Sequence, residues 1–185
     1  MKSNLMAIAA LASAVWLAGC DQKAVTINPG ETVEITPSLR RQVDARRDRV
    51  WLLTRNEVIV ESTRKPGRTV IALRDWIWAD EQWACPPDLA IGPKGEAVIT
   101  SNILPILWRV DPESLAVSVH EIALNADTDK EVGFSGLAYS AAHGVFFGVS
   151  ELDGTRWRID PALTKAQKLE PATDQATGRM KCAIS

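Results

Sequence analysis

One string of five residues constrains this chain more than any other feature, because it occurs twice. Trp108-Arg109-Val110-Asp111-Pro112 returns 49 residues later as Trp157-Arg158-Ile159-Asp160-Pro161. Upstream of it, Leu89-Ala90 returns as Leu137-Ala138 at an offset of 48, so one residue is inserted at the intervening turn. A turn is where an insertion costs least. Ser101 falls on Ser150 in the same register. A third, more diverged copy lies further upstream. Gln42 to Thr54 aligns without gaps on Ala138 to Ser150, and Val58-Ile59-Val60 takes the place of the Trp-Arg-Val/Ile run. Self-similarity at this period signals stacked supersecondary units, each able to bury its apolar face only against its neighbours.

Each unit reads as strands. Helical periodicity is scarce after Cys20, whereas short β-branched and aromatic runs abound: Val50-Trp51-Leu52-Leu53, Thr69-Val70-Ile71, Ala97-Val98-Ile99-Thr100 and Val145-Phe146-Phe147-Gly148-Val149. Turn signals separate them, among them Lys65-Pro66-Gly67, Pro93-Lys94-Gly95 and Asp153-Gly154. Within a unit, a strand ends in a polar turn and an almost continuous apolar strand follows. A loop leads to a third strand ending in Asp-Pro, and a weaker outer strand closes the unit. The expected fold class is all-β: a small or incomplete β-propeller-like array of about three four-stranded units, near residues 40–84, 85–132 and 133–181 of a domain spanning 25–185.

This four-strand pattern, with Leu-Ala-Ile/Tyr followed by Trp-Arg-Val/Ile-Asp-Pro, resembles blades of the periplasmic β-propeller superfamily that includes SMP-30/gluconolactonase-like and NHL-repeat proteins. The resemblance covers roughly residues 40–175 and speaks to architecture, since that superfamily hosts many functions. Three units fall short of the 4–8 blades of a typical closed propeller, and an open array leaves edges unpaired. The tail Lys181-Cys182-Ala183-Ile184-Ser185 is a candidate extra strand for the N-terminal unit. A homodimer forming a six-bladed ring and a shortened relative are the alternatives. The resemblance also implies where an axial divalent metal is held in SMP-30-type relatives, near Asp88, Gly136 and Asn102 here. Gly136 has no side chain to offer, so no metal or other cofactor is expected; Asp88 and Asn102 are the nearest to candidate ligands.

The N-terminus carries Lys2 and then an apolar run from Leu5 to Ala18. That run has the length of a signal-peptide core and is short of the roughly 20 residues that span a bilayer as a helix. It ends in Leu17-Ala18-Gly19-Cys20, which resembles the lipobox cut by the lipoprotein signal peptidase. The resemblance implies a helical, cleaved signal peptide at 1–19 and a lipidated anchor at 20–24, with acyl chains on Cys20. Two or three chains anchor stably where one does not. Asp21 resembles the inner-membrane retention signal of enteric bacteria, so the expectation is a lipid-anchored protein on the periplasmic side. The inner membrane is favoured and the outer membrane is the alternative.

With Cys20 lipidated, Cys85 and Cys182 remain. In an oxidising compartment such a pair is a disulfide candidate, two separate buried thiols being the alternative. The net charge of −2 is too mild to argue for nucleic acid. The basic stretch from Arg40 to Arg49, interrupted by Asp44 and Asp48, reads as a solvated turn region. His143 reads as a turn residue and His120 as a strand residue sharing a face with Ser118. No Gly-x-Ser-x-Gly motif supports a hydrolase. Asp127-Thr128-Asp129-Lys130-Glu131 begins like a calcium loop but has Val132 where glycine is required and Ala138 where a bidentate glutamate is required. Trp76, Trp78 and Trp83 crowd one connector and are candidate partner-binding residues, because Trp is enriched at interface hot spots. Packing between units is the alternative for them.

These features point to a membrane-anchored lipoprotein acting as a non-catalytic protein-binding or scaffold module, and not to an enzyme. Two alternatives stand beside it: an immunity lipoprotein neutralising a periplasm-targeted toxin, and a lactonase- or lyase-like propeller enzyme.

Overall fold

The computed structural model describes residues 25–27, 37–80, 84–128, 132–152 and 154–170. Among them there is no helix; fourteen strands form three sheets. The first sheet contains β1 (Val25–Ile27), β2 (Arg40–Asp44), β3 (Arg49–Leu53), β4 (Glu57–Ser62) and β5 (Arg68–Ala72), in the order β1-β5-β4-β3-β2. The second contains β6 (Leu89–Ile91), β7 (Ala97–Thr100), β8 (Ile106–Val110) and β9 (Val117–Glu121), in chain order. The third adds β10 (Ala123–Leu124) to β11 (Gly136–Ser140), β12 (Val145–Ser150), β13 (Thr155–Ile159) and β14 (Lys165–Leu169), in the order β10-β14-β13-β12-β11.

Each unit is therefore a four-stranded antiparallel meander, β2–β5, β6–β9 and β11–β14, and two of the three are extended at their outer edge. Strand β1 pairs antiparallel with β5, Val25 opposite Val70, and β10 pairs parallel with β14, Ala123 opposite Lys165. Both additions cover an outer edge that a bare four-stranded unit leaves open. The expected donor of an extra strand was the tail 181–185, which lies outside the described residues, as do the signal peptide and Cys20. At the outer edge of the first sheet, β1 pairs with β5.

Cross-strand partners share a face of a sheet, so the registers assign every side chain to a side. In the first sheet Trp51 lies opposite Val60, and Leu53 opposite Val58; these point at the second sheet. They meet Leu89, Ala97, Ile99, Trp108 and Val110 in one buried cluster. The other side of the second sheet, Ala90, Val98 and Leu107, packs on Leu137, Phe146, Trp157 and Ile159 of the third in a second cluster. The two repeated tryptophans, Trp108 and Trp157, thus occupy equivalent places in consecutive interfaces, each on the face turned to the preceding sheet. Both are buried. The ring plane of Phe134 meets Trp157 edge-on, 6.4 Å between centroids.

The Asp-Pro ends of the repeat are turn devices. Asp111 Oδ1 accepts hydrogen bonds from the Glu113 and Ser114 amides and from Ser114 Oγ, at 3.0, 2.8 and 2.9 Å. Asp160 Oδ1 accepts from the Thr164 and Lys165 amides at 2.7 and 2.9 Å. Leu115 and Leu163 follow with φ of 58° each, a left-handed turn that the aspartate caps hold in place.

The basic stretch from Arg40 to Arg49 departs from the solvated turn expected of it. Arg40 and Arg41 lie in β2 and Arg49 in β3, and three of the guanidinium groups reach the second unit. Arg47 Nε donates to Glu113 Oε1 at 3.0 Å and its Nη2 to the Lys94 carbonyl at 2.7 Å. Arg49 donates to the Pro112 carbonyl. Arg40 acts at the opposite end of the same strands, as described next. The reason lies in the geometry of stacking: adjacent units converge at their inner strands, where a long side chain spans the gap between backbones. Periodicity along one strand cannot report that.

Candidate functional site

The two ends of the stack differ. At one end lie the starts of β2, β6 and β11, the loops leaving β3, β7 and β12, and the connector running from β5 to β6. Arg40, Asp88 and Gly136 are equivalent by the 48-residue repeat, and they sit at this end, at or just before the three inner strands.

Asp88 ties all three units together. Its Oδ1 accepts from Arg40 Nε of the first unit at 3.1 Å and from its neighbour Leu89 N–H at 2.8 Å. Its Oδ2 accepts from Leu137 N–H of the third unit at 2.8 Å. Burial pushes the Asp88 pKa upward, and the two amides and Arg40 only partly oppose it. Its backbone is held too: the Asp88 amide donates to Thr100 Oγ1, and the Thr100 amide to the Asp88 carbonyl. This carboxylate, a candidate metal ligand from sequence, spends its lone pairs on holding the array.

Asn102, the other candidate ligand, is 2% exposed and fully engaged. Its Oδ1 accepts from Ala79 N–H, and its Nδ2 donates to the Ala79 and Cys85 carbonyls, all within 2.7–2.9 Å. The side chain thereby bridges both sides of the connector. Gly133 lies flat against this backbone, and a Cβ there would sit 2.0 Å from the Asn102 carbonyl carbon. Among the described residues no three His, Cys, Asp or Glu side chains group as metal ligands do.

Beside Asp88 stands Glu151, the first residue of the loop leaving β12. Its Oε2 is buried without a hydrogen-bond partner. Burial raises the Glu151 pKa; a hydrogen bond from Ser135 and the field of Arg40 lower it, and the Asp88 charge raises it further. Sequence reading missed Glu151, since it falls in a loop whose repeat-equivalent positions are not acidic. The available signal was its place one residue beyond the Ser101/Ser150 match.

The connector supplies the aromatic part of this end. Trp76 Nε1 donates to the Thr100 carbonyl at 3.0 Å and packs against the first core cluster. Trp78 Nε1 donates to the Arg55 carbonyl at 3.2 Å, and the Arg55 guanidinium lies 5.6 Å from the Trp78 ring centre. The two rings are 5.7 Å apart. Each clamps the connector to a different unit, and Ile77 between them is 52% exposed. Trp83 and Cys182 lie outside the described residues; Cys85 is buried.

The histidines take no part in this end. His143 occupies the opposite turn, 2.9 Å from Ser140 Oγ and edge-on to Phe147. His120 Nε2 is 2.9 Å from Ser118 Oγ on the same face of β9. Partial burial and the Arg109 charge lower the His120 pKa, against the pull of Asp160. Asp127 pairs with Lys168 of β14, tying the outer connector to the third sheet; residues 129–131 lie outside the described residues.

The third sheet presents the remaining feature. Its side away from the second sheet carries Val145, Phe147, Val149 and Leu169, with Arg156 and Arg158 among them, as the registers require. The corresponding sides of the first and second sheets are covered by the next unit. A concavity of about 520 Å³ opens here, lined in part by Leu124, Val145, Arg158, Asp160 and Lys165.

No family model and no curated protein matches this chain. Among solved structures, it is similar to a catalytically inactive virginiamycin B lyase from Staphylococcus aureus with quinupristin, at 13% identity and a TM-score of 0.50. The likeness covers 71% of this chain and 40% of that one. A selenomethionine-substituted virginiamycin B lyase from the same organism gives 14% identity and a TM-score of 0.48, over 68% of this chain and 39% of that one. At such identity the first likeness speaks to fold alone, a β-propeller-like arrangement. The chain spans about two-fifths of the length of that lyase.

Proposed function

We propose that this chain is a membrane-anchored lipoprotein of the periplasm that binds a protein partner, without chemistry of its own, through the open side of its third sheet. The observation that carries the reading is that apolar side. In the first two units the equivalent surface is the core of an interface, whereas in the third no described sheet packs on it, and it carries Phe147, Val149 and Leu169 among arginines. Aromatic and Arg side chains around an apolar centre are what protein interfaces enrich. The engagement of Asp88 and Asn102 in ties within the array supports a scaffold over a catalyst. The Cys85–Cys182 pair completes the proposal as a disulfide closing the array.

A photo-crosslinking residue at Phe147, introduced in cells expressing the full chain, tests it. The expected result is one discrete protein adduct at Phe147 and none at Lys65 on the far side. No adduct at Phe147, or equal adducts at both positions, would sink it.

A second reading has one observation of its own, the buried, unpartnered Glu151 oxygen with a raised pKa. A carboxyl whose pKa is raised by burial suits a general acid, and the likeness to a lyase structure extends to the fold. Incubation with quinupristin, followed by mass spectrometry, addresses it. Consumption by the wild type that Glu151→Gln abolishes would establish this reading; no consumption removes it for that substrate.

A further inference from the structure

The two ends of the array are built from different side chains. The turns β2–β3, β4–β5, β6–β7 and β8–β9 carry Arg46, Arg64, Lys65, Lys94 and Glu113. The opposite end, where the connector and the loops leaving β7 and β12 lie, carries Trp76-Ile77-Trp78, Ile103-Leu104 and Leu152. Ile77 is 52% and Leu152 50% exposed, two of the four most exposed large apolar side chains described. Around the connector, Arg55 pairs with Asp80 at 3.0 Å and Arg74 with Asp75 at 3.2 Å.

The path of the chain adds a second, independent observation. Strand β1 runs antiparallel to β5, with Val25 opposite Val70 and Ile27 opposite Arg68. The chain therefore enters β1 from the side of Ala72, the side on which the Trp76–Trp78 connector leaves β5. Cys20 is five residues before Val25, a contour of at most about 17 Å. An acyl chain on Cys20 is confined to the neighbourhood of the apolar end.

We propose that this apolar end rests on the bilayer in which Cys20 is anchored, with Trp78, Ile77, Ile103-Leu104 and Leu152 at the boundary between headgroups and acyl chains. The proposal rests on the lipoprotein reading. Trp belongs at that boundary because its ring is apolar and its N–H polar. The open side of the third sheet then faces along the membrane, free to meet a partner there.

The full chain, purified from membranes, is first weighed by mass spectrometry. An uncleaved chain without lipid overturns the anchor and this proposal with it. The lipidated protein is then reconstituted into phosphatidylethanolamine/phosphatidylglycerol vesicles with brominated acyl chains, and tryptophan fluorescence is read. The expected result is quenching of roughly a sixth of the emission, about one interfacial tryptophan, Trp78, of the six in the mature chain, with little change in high salt. Ile77→Asp/Leu152→Asp, both exposed positions, should at least halve the quenching while leaving the near-UV dichroism intact. A lipidated wild type without quenching, or quenching indifferent to that double variant, overturns the orientation and leaves the anchor standing. So does a photo-crosslinker at Ile77 that captures protein in native membranes and no lipid.

Discussion

Asp88 shows how one residue can serve a whole array. It stands where three units meet, and each supplies it a donor. Asp88→Ala leaves Arg40 and the Leu137 amide without that acceptor, and charged hydrogen bonds of this kind carry roughly 1.5–3 kcal/mol. The expected loss is about 2–3 kcal/mol in urea unfolding, with an unchanged urea dependence. The turn aspartates predict a pH response of definite sign. Backbone amides hold the Asp111 pKa below its usual value; in Asp160 burial pushes up, and the Lys165 and Thr164 amides outweigh it. A depressed carboxyl stabilises the fold above its unfolded pKa and loses that contribution as pH falls through the folded one. Asp160→Asn should therefore flatten the loss of stability below about pH 4. Asp88 and Glu151 act oppositely: their raised pKa values favour the fold when protonated, a contribution that fades as pH rises through the folded values.

At the scale of elements, the strands tolerate substitution according to how closely the sheets approach. A Cβ on Gly148 of β12 would lie 2.9 Å from Phe134 Cδ1 and 3.1 Å from Ile159 Cδ1, whereas one on Gly136 of β11 would meet Val149 Cβ at an ordinary 3.4 Å. Gly148→Ala should cost about 1–3 kcal/mol by overpacking, and Gly136→Ala less than about 0.5 kcal/mol; thermal unfolding separates them. Trp108 is the larger test. It fills the interface between first and second sheets, and its Nε1 donates to the Arg74 carbonyl at 2.7 Å, fixing the start of the connector. Trp108→Ala should cost about 3–5 kcal/mol. It should also free the Trp76–Trp78 segment, visible as faster amide exchange at residues 76–79.

For the whole molecule, among the described residues, the central sheet packs against a neighbouring sheet on both sides and each outer sheet on one, so the ends of the array differ in kind from its middle. The proposed Cys85–Cys182 disulfide bears on those ends, because it joins positions two repeat periods apart. Closing a loop of that length contributes about 4–5 kcal/mol in the chain-entropy model. Cys85→Ser and Cys182→Ser should then lower the melting temperature equally, and the double variant no further. Unequal effects, or a free thiol at both positions by mass spectrometry of the unreduced protein, would remove the bridge.

The residues alone determined the all-β class, the units and the strand that carries each repeated motif. Those follow from period-two and repeat patterns written along the chain, and β-branched runs between Gly/Pro turns leave little other choice. Val58-Ile59-Val60 as a third strand was legible in this way, although it shares only Val60 with Trp-Arg-Val/Ile. Which residues meet across units was not legible. Arg40, Asp88 and Leu137 lie 48 and 49 residues apart, and nothing in their local context distinguishes a tie between units from a metal ligand. Only stacking brings inner strands close enough for one carboxylate to serve three of them. Glu151 became noticeable for the same reason, since burial is a property of its surroundings. The apolar end was likewise scattered in sequence over Trp76, Leu104 and Leu152, and became one surface only when three loops were brought to the same end of the array.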